Sequence, residues 1–165
     1  MDGAGFEDFV SREQAALLRL AVLLTGDRGH AEDLVQTALL KSYRHWGRIT
    51  RAGDPTAYVR RVLVTTHTSW RRRLSSTEQV VGTLPDAADP AAPREDDDDL
   101  RSALRALPPR MRTAVVLRYY ADLTERQTAE AMGGSASAVN TQTARGLARL
   151  RQLLAPPVLV AEEHP

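Results

Sequence analysis

The residues best suited to specific chemistry lie at the start of a helix predicted near Ser137. They are mostly amide, hydroxyl and guanidinium side chains that the helical repeat turns outward: Ser137, Ala138, Asn140, Thr141, Gln142 and Arg145. Asparagine and glutamine can form paired hydrogen bonds with adenine, and arginine with guanine or phosphate. This set favours recognition of DNA, although such residues are also common on the solvated face of an ordinary helical bundle.

A predicted helix–turn–helix positions this set. Thr124 and Gln127 have the spacing of a capping box, and the glycine pair 133–134 permits the positive φ of a sharp helix stop. Ser135 or Ser137 can cap the second helix. The inner side of the two helices is predicted to consist of Leu123, Thr128, Ala131, Met132, Val139, Thr143, Leu147 and Leu150. In this motif the second helix enters the major groove of DNA.

No pattern of residues predicts catalysis or metal binding. The absence of cysteine excludes disulfides, thiolate zinc sites and cysteine nucleophiles, and no glycine-rich phosphate loop is present. The four histidines are dispersed: His30, His45, His67 and His164. The acidic run 95–99 is better explained by the positive end of a helix dipole than by a metal. We expect no enzymatic activity, no metal and no cofactor.

Charge is strongly segregated along the chain, although the net charge is only +1. Segment 55–77 has five arginines and no acid, and segment 101–152 has nine arginines against three acids. Segment 85–100, between them, has seven acids against one arginine. Two basic segments on either side of an acidic one predict two modules that bind polyanions and are joined by a linker.

Helical periodicity accounts for almost all of the remaining chain. The first helix is predicted over 5–25. Asp27 can cap a second helix, which is expected to extend to Trp46, and Asp54 followed by Pro55 starts a third. Periodicity is lost between residues 75 and 94, where proline and alanine dominate. It resumes near Asp97, breaks at the proline pair 108–109, and continues to about Leu154.

Two segments resemble the sigma-70 family of bacterial RNA polymerase sigma factors. LTERQTAEAMGGSASAVNTQTARGLARLR, residues 123–151, resembles the promoter-binding domain four. AEDLVQTALLKSYRHW, residues 31–46, resembles the segment of domain two that binds the clamp helices of the polymerase. The residues that the resemblance places against the polymerase are Asp33, Leu34, Gln36 and Leu40. They are otherwise interpreted as ordinary helix residues.

The third predicted helix resembles the segment that recognises the minus-ten element and opens the duplex. Its implied DNA contacts are Tyr58, Arg60, Arg61, Thr65, His67, Trp70, Arg71, Arg72 and Arg73. Arginines can neutralise phosphates and aromatic rings can stack on an unpaired base, but the spacing of Tyr58 and Trp70 also fits a core. For the minus-thirty-five element, the resemblance implies the outward set near Ser137 together with Arg149.

The resemblance implies an all-α fold of two small helical domains, as in the short extracytoplasmic-function subfamily. Domain two is expected over 5–75, an acidic flexible linker over 76–96, domain four over 97–154, and a mobile tail over 155–165. The implied function is to direct core RNA polymerase to promoters, with domain four also contacting the polymerase flap. The implied partners are the polymerase and promoter DNA, and the resemblance also admits an anti-sigma factor. A cytoplasmic protein without membrane insertion is expected.

Two alternatives remain open at this point. A stand-alone helix–turn–helix regulator would bind DNA tightly as a free dimer, without polymerase. A protein-interaction module would show little salt-dependent binding to nucleic acid. We expect binding to polymerase to expose surfaces that are otherwise masked, so the free chain should bind DNA weakly.

Overall fold

The computed structural model describes residues 3–76 and 95–156, and every regular element in these ranges is helical. The elements are α1 Gly3–Thr25, α2 Arg28–Tyr43, α3 Trp46–Ala52, α4 Pro55–Ser76, α5 Glu95–Ala106, α6 Pro109–Val115, a π-helical turn Val116–Tyr120, α7 Glu125–Met132 and α8 Ala136–Leu154. The predicted all-α class is confirmed. Most of the predicted linker, residues 77–94, and the tail beyond Pro156 lie outside the described residues.

The first four helices pack around the apolar stripe of α1. This stripe repeats every three or four residues, and α1 packs on α2, which in turn packs on α4. Asp27 caps α2 as predicted, because its carboxylate accepts a hydrogen bond from the His30 amide at 2.9 Å. Asp54 likewise accepts from the Ala57 amide at 3.2 Å and caps α4. Both caps fix where the chain changes direction.

The second helix is shorter than the sequence predicted, and a separate helix follows it. Trp46 begins α3 rather than ending α2, and its side chain is only 7% exposed. Its ring packs against those of Phe6 and Phe9, with centroids 5.2 and 5.0 Å apart. The helix α3 has buried side chains only at Trp46 and Ile49, which is too few positions for a periodicity to be visible in the sequence.

The last helices form the predicted helix–turn–helix with its support. Thr124 and Gln127 make both hydrogen bonds of the capping box, at 3.1 and 2.9 Å. Gly133 ends α7 with φ 68°, and Ser135 caps α8 by accepting from the Ala138 amide at 3.1 Å. The π-helical turn that precedes α7 was not predicted.

The two helical units pack on each other in the free chain. The end of α4 contacts α7, and α1 contacts the π-helical turn. Apolar residues of both units therefore belong to one continuous cluster of buried side chains, with Leu24 and Leu63 on one side and Leu107 and Leu117 on the other. This packing determines which predicted functional residues reach solvent.

Gly146 allows α8 to lie close against α6. A Cβ atom at this position would be 2.7 Å from Cγ2 of Val115 and 3.4 Å from the carbonyl oxygen of Met111. The backbone of Met111 belongs to a helix and has little freedom to retreat, so the space exists only for glycine.

We predict that Gly146→Ala destabilises the protein by roughly 1–3 kcal/mol through overpacking, as measured by urea unfolding. At an exposed helix position alanine is instead more stabilising than glycine, so Ala148→Gly should cost about 1 kcal/mol. A gain in stability for Gly146→Ala would show that α6 and α8 are packed less closely than described.

Candidate polymerase and nucleic-acid interfaces

The N-terminal half of α8 presents the predicted base-reading set to solvent. Of these side chains only Gln142 is half-buried; Ser137, Ala138, Asn140, Thr141, Arg145 and Arg149 are exposed. Thr141 donates its hydroxyl proton to the carbonyl oxygen of Ser137 at 3.1 Å, so its oxygen remains an acceptor. Asn140, Gln142 and Arg145 supply the donors. Val139, Thr143 and Leu150 are buried and hold this face outward.

A stripe of exposed side chains runs along α2. Asp33, Gln36 and Leu40 are spaced by three and four residues, so they lie on one face, and all three are exposed. Leu40 is 66% exposed, and an apolar patch that it shares with a neighbouring exposed side chain would mark an interaction surface. Tyr43, 46% exposed, extends the stripe by one turn. Tyr43 was not among the predicted residues, although its spacing of three from Leu40 is visible in the sequence.

Leu34 corrects one prediction for this stripe. Its side chain has no exposed surface, because it belongs to the core beneath α2. A residue next to Asp33 in sequence lies about 100° away around a helix, so the two cannot share a face. Leu34 therefore supports α2 from inside, and the exposed stripe is Asp33, Gln36, Leu40 and Tyr43.

Helix α4 divides the predicted minus-ten set between solvent and interior. The exposed members are Arg60, Arg61, Thr65, Arg72 and Arg73. Tyr58 and Trp70 are half-buried against the core cluster, and Arg71 is also half-buried. His67 is only 4% exposed. Helix α4 thus offers arginines and a hydroxyl to solvent, while its aromatic side chains are half-buried or buried.

Arginines from both units meet where α4 faces α6. The guanidinium group of Arg112 is nearly buried, with the residue 8% exposed and Nε lacking a hydrogen-bond partner among the described atoms. Burial and, to a smaller extent, the charges of Arg71 and Arg105 together lower the pKa of Arg112 to about 10. Burial and the charge of Arg110 also lower the pKa of Arg71. The interface therefore gathers like charges.

His67 lies in the same positive environment. Desolvation lowers its pKa from 6.5 to about 4, with smaller contributions in the same direction from Arg71 and Arg112. Its Nε2 atom is buried without a hydrogen-bond partner in the described part of the chain. At neutral pH the imidazole is therefore uncharged and adds no further positive charge beside Arg71 and Arg112.

The turn of the helix–turn–helix contacts the end of α4. Nη2 of Arg72 donates to the carbonyl oxygen of Met132 at 3.4 Å. A Cβ atom at Gly133 would collide with the same guanidinium group. Gly133 thus serves two purposes, since it adopts the positive φ that ends α7 and leaves room for Arg72.

These surfaces define an all-helical protein that binds nucleic acid and a protein partner. In the described ranges, no three histidine, aspartate or glutamate side chains come close enough to share a metal ion. None of the helices in those ranges combines the length and apolar character required to cross a bilayer.

Comparison with known proteins identifies the family. The model of sigma-70 region 2 matches residues 9–77, and that of sigma-70 region 4 matches residues 97–150. The RNA polymerase sigma-E factor of Streptomyces avermitilis is 40% identical over 151 residues, which are 90% of this chain and 84% of that protein. The sigma-E factor of Streptomyces coelicolor is 38% identical over 90% of this chain and 85% of its own length.

A solved structure has the same fold. It is the sigma factor RpoE of Bartonella quintana in complex with the anti-sigma factor NepR, with a TM-score of 0.68 and 21% identity over 91% of this chain and 96% of that one. The chain belongs to the extracytoplasmic-function subfamily of sigma-70 factors, and it directs RNA polymerase to promoters. The comparisons do not favour a stand-alone regulator, because such a protein would have no use for a sigma-70 region 2.

We predict that stability falls as the pH is lowered through the range set by His67. The folded pKa lies below the unfolded value of 6.5, so the unfolded chain binds the extra proton. Stability is then complete above about pH 6.5 and decreases toward pH 4. Between pH 7 and pH 5 the loss should be on the order of 2 kcal/mol, measured by urea unfolding at each pH.

His67→Leu should remove this dependence, whereas His45→Gln, at an exposed position, should retain it. An equal fall in stability for wild type and His67→Leu would assign the pH dependence to other groups.

Proposed function

We propose that the exposed stripe of α2 is the principal contact with core RNA polymerase. The observation that carries this proposal is the exposure of Leu40 between polar residues on a helix whose opposite face is fully buried. An apolar side chain with a carboxylate and an amide on the same face suits a protein partner, because the leucine contributes buried area and the polar groups fix its position. In the family this segment meets the clamp helices.

For promoter recognition, the proposed surfaces are α8 for the minus-thirty-five element and α4 for the minus-ten element. The exposed amides and guanidinium groups of α8 suit base edges in the major groove. The exposed arginines of α4 suit phosphates. Tyr58, His67 and Trp70 are proposed to act on unpaired bases. Of these, His67 lies near Arg112 of domain four, so it would become available only after that domain has moved away.

Separation of the two units is a requirement of this function. Elements centred near minus ten and minus thirty-five are about 25 base pairs apart, or roughly 80 Å along the duplex. In the free chain α4 contacts α7, the first helix of the helix–turn–helix. Both elements therefore cannot be bound together by this arrangement, so the free protein should bind promoter DNA weakly.

The protein is proposed to act by binding alone, without chemistry of its own, and to work in the cytoplasm where the polymerase lies. An anti-sigma factor is a further proposed partner, because RpoE of Bartonella quintana, which shares the fold, binds NepR. The proposed domain limits are 5–75 and 97–154, with polymerase flap binding assigned to domain four.

The first test is run-off transcription with purified core polymerase on promoter fragments. We predict that the double variant Asp33→Ala, Gln36→Ala lowers transcript yield about tenfold at limiting protein, because two polar contacts are lost. Glu7→Ala is the control, since Glu7 is an exposed acid on α1 and not part of the α2 stripe. Full yield from the double variant would exclude the α2 stripe as the polymerase contact.

The second test compares promoters that differ only in the minus-thirty-five element. Gln142→Ala or Arg145→Ala should lower discrimination between these promoters by roughly 10- to 100-fold if the side chain reads a base. If it binds phosphate instead, transcription falls equally on all of them. Arg126→Ala, an exposed arginine on α7 that pairs with Glu130 at 3.4 Å, should leave discrimination unchanged. Unaltered transcription from both α8 variants would contradict the assignment of α8.

A further inference from the structure

A cavity of about 150 Å³ lies between the two units where α4 faces α6 and α7. It is lined by Thr68, Arg71, Arg72, Arg110, Thr113 and Met132. We call it the interdomain cleft. Its volume is several times the share of one water molecule in the liquid, about 30 Å³, so it has room for a small polyatomic ligand. Both units contribute to its wall, and it therefore exists only while they are packed together.

The chemistry of the cleft is cationic. Arg71 of α4 and Arg110 of α6 are close enough for the charge of Arg110 to lower the pKa of Arg71. Neither guanidinium group has a carboxylate partner among the described residues. The nearby hydroxyls of Thr68 and Thr113 donate to the carbonyl oxygens of Val64 and Pro109, at 3.0 and 2.9 Å. The hydrogen bonds available to a ligand therefore come mainly from guanidinium groups.

A buried cation behind the cleft adds to the unbalanced charge. Arg112 is 8% exposed, its Nε has no partner in the described part of the chain, and the charge of Arg71 acts on it. A buried charge without a partner lowers the stability of the folded protein. The same holds for the half-buried charge of Arg71. An anion seated between Arg71 and Arg110 would reduce the repulsion at Arg71 directly and at Arg112 through Arg71.

We propose that the interdomain cleft binds a free oligophosphate, such as the diphosphate group of a nucleotide, and that this ligand stabilises the packed arrangement of the two units. Guanidinium groups bind phosphate oxygens through paired, charge-assisted hydrogen bonds, and the cleft presents them from both sides of one space. The ligand would thereby favour the form that cannot bridge a promoter, a consequence that rests on the proposed function.

The test is isothermal titration of the full-length free protein with inorganic pyrophosphate, at an ionic strength held constant with sodium chloride. Wild type should bind, and Arg110→Gln and Arg71→Gln should each raise Kd about tenfold or more, because each loses a charge-assisted pair of hydrogen bonds. Arg48→Gln is the control, because it removes an exposed charge on α3, which precedes the start of α4 and not the end that lines the cleft, and should leave Kd unchanged.

Thermal unfolding of the same variants supplies a second readout. Without pyrophosphate, Arg110→Gln should melt at or above the wild-type temperature, because a repulsion is removed. With pyrophosphate, wild type should have the higher melting temperature, because it is stabilised by the bound ligand and Arg110→Gln is not. A lower melting temperature for Arg110→Gln without pyrophosphate would overturn the premise of uncompensated charge. Equal stabilisation of both proteins by pyrophosphate would show binding elsewhere and overturn the site.

DNA is the other source of phosphate, and a short duplex without promoter elements distinguishes it. Binding of the DNA backbone to α4 while the two units are apart should depend on Arg71 but not on Arg110. Binding of a ligand in the interdomain cleft should depend on both arginines. Binding of the duplex without binding of pyrophosphate would assign the arginines to DNA and overturn the proposal. These titrations omit polymerase, so their failure leaves the transcription assay, and hence the proposed function, untouched.

Discussion

The guanidinium group of Arg112 lies almost out of solvent between the two helical units, with two further arginines close enough to lower its pKa. This uncompensated charge is the constraint on which the behaviour of the free chain depends. Apolar burial across the interface holds the units together, while like charges at its edge oppose them. In the proposed function, this balance allows the packed arrangement to be exchanged for contacts with polymerase and DNA.

Helix α4 links this balance to promoter recognition. One side of the helix supplies Val59, Leu63 and Val64 to the core, and another side presents exposed arginines. Its last three turns carry His67 and Arg71 into the interface with domain four. The same helix therefore belongs to the fold, to the proposed minus-ten surface and to the contact that withdraws part of that surface. Moving domain four would uncover His67 and Arg71 without unfolding α4.

Local signals in the sequence were sufficient for much of this structure. The capping box at Thr124, the cap at Asp27 and the glycine stop at Gly133 each depend on a few neighbouring residues, and each was predicted correctly. The outward face of α8 followed from helical periodicity in the same way. These features are local because hydrogen bonds at helix ends are made within one turn of the chain.

The remaining features depend on contacts between distant segments. The end of α2 at Tyr43 is set by packing against other helices, which periodicity alone does not reveal. The burial of Leu34 does follow from periodicity, and only the family resemblance placed this residue against the polymerase. Arg71 lies close to Arg110 and Arg112, which are about forty positions away in the sequence. No local sequence pattern predicts this proximity. Charge segregation predicted two basic modules, but it gave no reason to expect that they would face each other.

The most direct measurement is the distance between the two units, by pulsed electron paramagnetic resonance, in the free protein and in the promoter complex. Because the chain has no cysteine, spin labels can be placed at Ser11→Cys and Ala148→Cys alone, both at exposed positions. The free protein should give a single short distance, and the complex with core polymerase and promoter DNA a clearly longer one. An unchanged distance in a complex that is active in transcription would contradict the requirement for separation.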